Sequence, residues 1–329
     1  MAVHPERLSG GARQSGMDRV IVDTDTAGDD TQALALACLT DRLSVEAVTV
    51  VAGNVPFDRE VENAKYTLSL VDSAGDVPVY EGARSPLLKS FDHAEEVHGD
   101  GGLGGDLHPD TDVDSADGFG PDVIAEQCRE SPGEISLLCI GPLTNLALAH
   151  AREPDLPGLV DEVWVMGGTV NCAGNVTPAA EFNFWVDPDA AHRVLADFDV
   201  TLVDWGLCQR NRLGTDLFES VAALDTDLGD FFLEVNKQAR ALGDDDTVAL
   251  PDGLTTALAA YPELREELDT YHVAVDEREG LTRGYTSVDV NDATDGAERT
   301  RVVESVDGEV FRAILRSMLR DRDPDAALG

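Results

Sequence analysis

Four aspartates lie within eight residues near the amino terminus of this 329-residue chain: Asp23, Asp25, Asp29 and Asp30. One or two of them could cap a helix, because a carboxylate accepts hydrogen bonds from the free N–H groups of a first turn. Four carboxylates at such close range repel one another unless a cation neutralises them. Since no histidine or cysteine lies among them, oxygen ligands predict a hard cation, Ca²⁺ or Mg²⁺.

The surrounding sequence indicates which elements position these aspartates. Short apolar runs alternate with longer amphipathic stretches, a pattern typical of an α/β fold with a mostly parallel central sheet flanked by helices. Strands are predicted at residues 19–23, 46–51, 77–80, 134–140, 162–166 and 200–204. Helices are predicted at residues 30–40, 59–73, 121–129, 142–150, 188–196, 217–241 and 307–319. The aspartates then lie at the turn from the first strand to the first helix, the edge where open α/β sheets bind ligands.

The charge balance restricts the possible partners. The chain has 64 acidic against 24 basic residues, a formal net charge of −40. Such a surface repels nucleic-acid phosphates and anionic lipids, so neither nucleic acid nor a membrane surface is expected as a partner. The same balance indicates halophilic adaptation, because molar salt screens the self-repulsion of the carboxylates.

Other compositional features predict a cytoplasmic protein with one domain. No apolar run approaches the roughly 20 residues of a membrane span, and the amino terminus has no apolar segment typical of a secretory signal. The five cysteines are odd in number and have no CxxC spacing, so neither a disulfide framework nor a zinc site is expected. Residues 1–16 are predicted to be a disordered extension, and residues 17–329 a single domain.

The aspartate segment resembles the DxDxxxDD fingerprint of the inosine–uridine preferring nucleoside hydrolase family. Further motifs that resemble those of the family follow in its order along the chain. They are VAGN at 51–54, VHGDG at 97–101, IGPLTN at 140–145, VMGG at 165–168, GNVTPAAEFN at 174–183 and VDP at 186–188. The chain is therefore identified from its sequence as a member of this family.

The resemblance implies a calcium-dependent enzyme that hydrolyses the N-glycosidic bond of ribonucleosides to ribose and a free base. It implies that Asp25, Asp30, Asp252 and the backbone carbonyl of Ile140 bind Ca²⁺. It also implies that Asp29 is the general base that accepts a proton from the attacking water. Asp23 is expected to support these ligands from behind rather than to bind the cation itself.

The resemblance further implies a ribose pocket lined by Asn54, His98, Met166, Asn175, Glu181 and Asn183. A pocket dense in oxygen atoms suits the reaction, because glycosidic cleavage places positive charge on the sugar in the transition state. Family members form dimers and tetramers, so a homo-oligomer is expected.

The sequence departs from the family at the residue before Asp252. Studied members have a histidine there that can protonate the departing base, whereas this chain has Pro251. The tyrosines often present upstream are also missing from residues 231–242. The preferred nucleobase is therefore left open.

Three aromatic residues near the motifs have more than one interpretation. Trp185 is expected to pack in the core, as aromatic residues at a strand–helix junction usually do. Trp205 is either a core residue or a platform on which a base stacks. His98 is either a lid residue that touches the substrate or an exposed loop histidine.

Two other functions compete with the nucleoside hydrolase prediction. Phosphatases of the haloacid dehalogenase type also have a DxD motif at the end of a strand. They require Thr or Val two residues after the second aspartate, where this chain has Ala27. A non-catalytic nucleoside-binding protein would explain Pro251, but it would have no need of a base at Asp29.

Overall fold

The computed structural model describes residues 18–105, 107–242 and 246–328. The predicted extension at residues 1–16 lies outside the described residues. The strands are β1 Asp18–Thr24, β2 Leu43–Val50, β3 Val79–Glu81, β4 Ile135–Cys139, β5 Val163–Met166, β6 Val200–Val203, β7 Arg265–Tyr271, β8 Val273–Val275, β9 Thr286–Val288 and β10 Thr300–Val306.

Eight of these strands form one mixed sheet in the order β3-β2-β1-β4-β5-β6-β10-β7. Neighbouring strands run parallel except at the β10–β7 edge, where the pairing is antiparallel. The strands β8 and β9 form a separate antiparallel hairpin. The mostly parallel α/β sheet predicted from the sequence is confirmed, and all six predicted strands are present in it.

The helices flank the sheet. They are α1 Asp30–Leu39, α2 Phe57–Leu70, α3 Glu95–His98, α4 Gly120–Glu130, α5 Thr144–Arg152, α6 Phe182–Val186, α7 Pro188–Asp197, α8 Trp205–Arg210, α9 Thr215–Ala222, α10 Asp227–Val235, α11 Lys237–Leu242, α12 Pro251–Ala260 and α13 Gly308–Asp321. No helix within the described ranges is long and apolar enough to cross a membrane.

The single helix predicted at residues 217–241 is wrong, because this segment folds as the three short helices α9, α10 and α11. The first break lies between Ala222 and Asp227 and contains Asp225, whose backbone is left-handed with a φ of 54°. The Thr226 side chain then accepts a hydrogen bond from the Gly229 N–H at 3.1 Å and caps the start of α10. The left-handed turn and this cap therefore separate α9 from α10, although the apolar periodicity continues across them.

Both faces of the central part of the sheet are buried, which explains why β4, β5 and β6 have continuous apolar sequences. Along β1, Val20 and Val22 pack into a cluster that includes residues of α1, whereas Ile21 packs on the opposite face with residues of α5 and α7. Burying each such side chain stabilises the fold by roughly 1.5–3 kcal/mol. The sheet is therefore a rigid support for the residues that follow its strands.

The carboxyl ends of the central strands meet at one edge. In the parallel register Thr24 at the end of β1 pairs with Val50 of β2, and Asp23 pairs with Cys139 of β4. The Ile140 N–H donates to the Asp23 carbonyl at 2.8 Å. The segments that follow β1, β2 and β4, each of which contains a sequence motif, are thereby brought side by side.

Candidate active site

Three carboxylates from two distant parts of the chain converge at this edge. One oxygen each of Asp29, Asp30 and Asp252 lies within 4.8 Å of the others. Asp29 and Asp30 lie at the start of α1, and Asp252 lies in the first turn of α12, which packs against α1. The Asp252 N–H donates to Asp29 Oδ2 at 3.1 Å, so the two helix starts are joined directly.

Asp25 and Asp30 are held by polar groups of the same edge. Asp30 accepts from Thr24 Oγ1 at 2.6 Å, and from the Ala27 N–H and Asn54 Nδ2 at 3.2 Å each. Asp25 Oδ2 accepts from the Asn54 N–H at 3.0 Å, but its Oδ1 is buried with no hydrogen-bond partner among the described residues. Asp25 lies outside the group of three carboxylates, although its charge raises the pKa of Asp252.

Burial makes these carboxylates resist ionisation. It raises the pKa of Asp29 to about 6 and that of Asp30 to about 7. Burial also raises the pKa of Asp25 and of Asp252 well above the usual range, and repulsion by neighbouring carboxylates adds to both shifts. A buried group of this kind needs protons or a cation to offset its charge. The clustered oxygens and the unpaired Asp25 Oδ1 fit a hard divalent cation.

Asp23 lies behind this group and connects the strands. Its Oδ1 accepts from Asn145 Nδ2 at 2.7 Å and from Thr49 Oγ1 on β2. Asn145 in turn accepts from the Ala83 N–H at 2.8 Å. Asp23 therefore ties β1 to β2 and to the IGPLTN segment, and it does not join the group of three carboxylates.

All six residues expected to contact ribose line one cavity of about 470 Å³. The cavity also exposes Asp29, Asp252 and Ile140. Asp25, Asp30 and Asp23 do not line it, because they lie beneath its floor with 1% or less of their surface exposed. The structure thus brings together the predicted substrate residues and separates them from the more deeply buried aspartates.

Asn183 connects the ends of β4 and β5. Its Nδ2 donates to the Ile140 carbonyl at 2.9 Å and to the Met166 carbonyl at 3.2 Å. The same amide group therefore connects two of the sequence motifs, IGPLTN through Ile140 and VMGG through Met166.

Glu181 organises the turn that contains Asn183. Its carboxylate accepts from the N–H groups of Gly168 at 2.8 Å, Asn183 at 2.9 Å and Phe184 at 3.3 Å, and so caps α6. Burial raises the pKa of Glu181 to about 7. Because both carboxylate oxygens are occupied by backbone donors, Glu181 is fixed in place where it faces the cavity.

His98 lies at the end of α3 against the start of the aspartate turn. A Cβ atom at Gly28 would lie 2.3 Å from His98 Nδ1, and Gly28 has a φ of +41°, so only glycine fits there. Burial lowers the pKa of His98 to about 4, which keeps the imidazole neutral at neutral pH. His98 is half-buried and lines the cavity, so the alternative of an exposed loop histidine is wrong.

The expectation that Trp185 packs in the core is wrong. On the short helix α6 the neighbouring Phe184 is fully buried, whereas Trp185 is half-buried and lines the cavity. The Arg283 guanidinium covers the indole at 4.5 Å from its centre. Trp205 is also half-buried; it lines the cavity and packs against the core, so both of its interpretations stay open.

Sequence reasoning missed Glu60, a fully buried carboxylate beside the site. Its Oε1 accepts from the N–H groups of Gly53 at 2.9 Å and Val55 at 3.1 Å, and thereby holds the turn that presents Asn54. A Cβ atom at Gly53 would overlap Asp25 Oδ2, so the turn packs tightly on that carboxylate. No local pattern indicated this role, because glutamate in a first helical turn is usually solvated.

Pro251 lines the cavity in the first turn of α12, a position that tolerates proline. The cavity wall nearby in the sequence consists of Val235, Asn236, Ala239, Val248 and Ala249. None of these side chains can donate a proton. Among the described lining residues the imidazoles belong to His98 and to His93, which sequence reasoning did not single out and which contacts the Gly53 carbonyl at 2.8 Å.

Known proteins of one family match this chain over most of its length. The model of the family described as inosine-uridine preferring nucleoside hydrolase matches residues 20–313. The pyrimidine-specific ribonucleoside hydrolase RihA of Photobacterium profundum is 32% identical over 308 residues, covering 91% of this chain and 98% of that protein. Its namesake from Klebsiella pneumoniae is also 32% identical, covering 91% and 97%.

Solved structures agree with the sequence relatives. The plant nucleoside hydrolase PpNRh1 superposes with a TM-score of 0.86 at 31% identity, covering 92% of this chain and 99% of that one. The purine-preferring ribonucleoside hydrolase from Gardnerella vaginalis gives a TM-score of 0.83 at 26% identity, covering 92% and 98%.

These matches exclude a haloacid dehalogenase-type phosphatase and a protein that only binds nucleosides. The sequence motifs that first indicated the family supply residues of the carboxylate group and of the cavity lining. This chain belongs to the inosine-uridine preferring nucleoside hydrolase family and is a hydrolase that acts on N-glycosyl compounds.

Proposed function

We propose that this enzyme uses Ca²⁺ to hydrolyse the N-glycosidic bond of ribonucleosides, releasing ribose and the free base. The observation that carries the proposal is the group of Asp29, Asp30 and Asp252, one oxygen of each lying within 4.8 Å of the others. Asp29 and Asp252 of this group line the cavity of about 470 Å³. Buried carboxylates with no basic side chain among them favour a cation with oxygen ligands.

The residues that would hold Ca²⁺ are Asp25, Asp30, Asp252 and the carbonyl of Ile140. The unpaired Oδ1 of Asp25 supports its inclusion, because a buried oxygen without a partner is costly. When bound, Ca²⁺ would lower the pKa of a water molecule and hold the ribose hydroxyls.

Asp29 is the general base in this proposal. It lines the cavity, and the Asp252 N–H fixes its Oδ2. Burial raises its pKa to about 6, so the carboxylate is ionised at neutral pH and still basic enough to accept a proton from water. Glu181 and Asn183 face the same cavity and supply oxygen atoms that stabilise positive charge on the sugar.

The departing base takes its proton from a group other than residue 251, because Pro251 has none to donate. The named relatives include both pyrimidine-specific and purine-preferring enzymes. The preferred base is therefore a matter for assay.

The proposal is tested by measuring ribose release from purine and pyrimidine ribonucleosides in high salt, with calcium and after chelation. Ribose release should be lost on chelation and restored by Ca²⁺. Hydrolysis at the full rate by metal-free protein would contradict the proposed role of the cation. The homo-oligomeric assembly, the cytoplasmic location and the halophilic adaptation stay predictions, and size-exclusion chromatography and a salt series of thermal midpoints would test the first and the last.

A further inference from the structure

Asn236 is a buried amide in the lining of the cavity, and it lies outside every sequence motif. It connects α10 to α11 and lines the cavity, yet only 3% of its surface is exposed. The neighbouring lining residues Val235, Ala239, Val248 and Ala249 are apolar. Both polar atoms of a buried amide among such residues need hydrogen-bond partners.

Hydrogen bonds fix the orientation of the Asn236 amide. Its Nδ2 donates to the Phe232 carbonyl at 2.8 Å and to Gln32 Oε1 at 3.2 Å. Gln32 Nε2 donates to the Thr31 hydroxyl at 2.5 Å, and that hydroxyl donates to the Gly28 carbonyl at 2.6 Å. Because the two carbonyls at the ends of this chain can only accept, the direction of every bond in it is determined.

This chain of bonds leaves one atom of Asn236 for the cavity. If the amide were flipped, Oδ1 would lie against the Phe232 carbonyl and Gln32 Oε1. All three oxygen atoms are acceptors, so no hydrogen bond could form among them. Oδ1 therefore faces away from these partners. It accepts no hydrogen bond from the described residues, and Asn236 lines the cavity.

We propose that Asn236 Oδ1 accepts a hydrogen bond from an N–H group of the nucleobase and so helps to select the base. This inference rests on the proposed function. The apolar residues around Asn236 suit the faces of a flat base, and a single fixed acceptor among them distinguishes a base with an N–H there from one without. Loss of one such bond in an apolar pocket lowers kcat/KM by roughly 10–100-fold, because the acceptor is left unpaired.

The test compares each parent nucleoside with its N-methylated analogue. Suitable pairs are uridine and 3-methyluridine, inosine and 1-methylinosine, and cytidine and N4,N4-dimethylcytidine. For wild-type enzyme, kcat/KM of one or more parents should exceed that of the analogue by at least about 10-fold. In Asn236→Leu the parent should lose that advantage while the analogue is little affected, so the ratio for that pair should fall about 10-fold or more.

Asn211→Leu is the matched control. Asn211 ends α8 and donates to the Leu207 carbonyl four residues back, as Asn236 donates to Phe232, but it lies outside the cavity lining. Its substitution should leave every ratio unchanged. A purely structural role of Asn236 would lower stability and rates for parent and analogue alike.

Gln32→Met is a second variant for the case that Asn236→Leu does not fold. It keeps Asn236 but removes the acceptor that fixes its amide, so the ratio should fall several-fold. Unchanged ratios in the folded variants, with parents still hydrolysed, would overturn this inference alone. Absence of ribose release from every parent with wild-type enzyme would overturn the proposed function and this inference with it.

Discussion

The carboxylate end of the cavity and another part of its lining are built in different ways. The carboxylate end consists of residues that directly follow β1 and begin α1 and α12. Asp30 accepts three hydrogen bonds there, and the Asp252 N–H donates to Asp29. Another part of the lining comes from the short helices α10 and α11 and from the segment that leads into α12. The lining residues of this part are Val235, Asn236, Ala239, Val248, Ala249 and Pro251, and all except Asn236 are apolar.

This difference indicates that bond cleavage and base recognition depend on different parts of the cavity. Bond cleavage needs charged groups at fixed positions, and the ends of buried parallel strands supply a rigid support for them. Recognition of a base needs shape and a few polar atoms, which short helices and loops can change without disturbing the sheet. We therefore expect changes at the carboxylate end to affect all substrates strongly and changes elsewhere in the cavity to affect them selectively and weakly.

The largest effect is expected from removal of a ribose hydroxyl. A site that binds a hydroxyl through buried polar groups rejects the analogue that lacks it by about 10⁴-fold, because those groups remain unpaired. We predict that kcat/KM for 2′-deoxyinosine is lower than that for inosine by about this factor, measured as release of the free base. Similar rates for the two would mean that the carboxylate end does not contact the 2′-hydroxyl.

The next effect concerns proton transfer at Asp29. Asp29→Asn keeps the size of the side chain but removes its basicity, so kcat should fall roughly 10²–10⁴-fold for every nucleoside. KM should change little, because the cavity is intact. Asp92→Asn is the control, since Asp92 lies exposed at the cavity lining and should keep nearly normal kcat. A near-normal kcat of Asp29→Asn would assign the activation of water to another group.

A third prediction concerns the stability of the carboxylate end without metal. Burial raises the folded-state pKa of Asp29 to about 6 and of Asp30 to about 7, whereas unfolded aspartates titrate near pH ~3.9. As pH rises through this window, the unfolded chain releases protons that the folded protein still holds. The free energy of unfolding of chelated protein should therefore decrease from about pH 4 to about pH 7.

Calcium should reverse this trend, because a cation offsets the same charges. At 100 times its dissociation constant it should add about 2.7 kcal/mol to the free energy of unfolding. The shift of the thermal midpoint on adding Ca²⁺ should grow as pH rises from about 4 to 7. A calcium effect independent of pH would mean that the cation binds elsewhere than at these carboxylates.

The smallest effect is expected at Trp185, which lines the cavity but is not one of the carboxylates. Arg283 covers its indole and donates to the carbonyls of Trp185 at 2.9 Å, Val186 at 3.2 Å and Ser90 at 2.9 Å. Arg283→Met should loosen the indole and raise KM several-fold with a smaller change in kcat, because binding rather than chemistry is affected.

Arg278→Met is the control for this prediction. Arg278 lies in the same segment but its side chain is 79% exposed, and it pairs with Asp276. The Arg278→Met substitution should leave KM unchanged. Equal effects of the two substitutions would indicate that general loss of positive charge, and not the support of Trp185, is responsible.

Parts of the fold escaped prediction for identifiable reasons. The strand β7 has the sequence REELDTY, and five of its seven residues are exposed, because it lies at the antiparallel edge of the sheet. An exposed edge strand lacks the apolar run by which buried parallel strands are predicted. The predicted helix at 217–241 failed for the opposite reason, since its apolar periodicity continues across a turn that Thr226 caps.

The sequence by itself determined the chemistry of the carboxylate end. Asp23, Asp25, Asp29 and Asp30 are close in the chain, and a strand followed by a helix keeps them close whatever the rest of the protein does. Repulsion among their charges already indicated a cation. Those inferences depend on local geometry and on charge, which can both be derived from residue types and spacing.

Only the tertiary structure shows how distant groups complete the site, because residue types and spacing do not indicate them and Asp252 was named through the family resemblance. Asp252 meets Asp29 across 223 residues because α12 packs against α1. Glu60 is buried beneath Asn54, Trp185 points into the cavity, and Asn236 is oriented by Gln32. Their roles depend on burial and on hydrogen bonds between separate elements, and neither exists until the chain has folded.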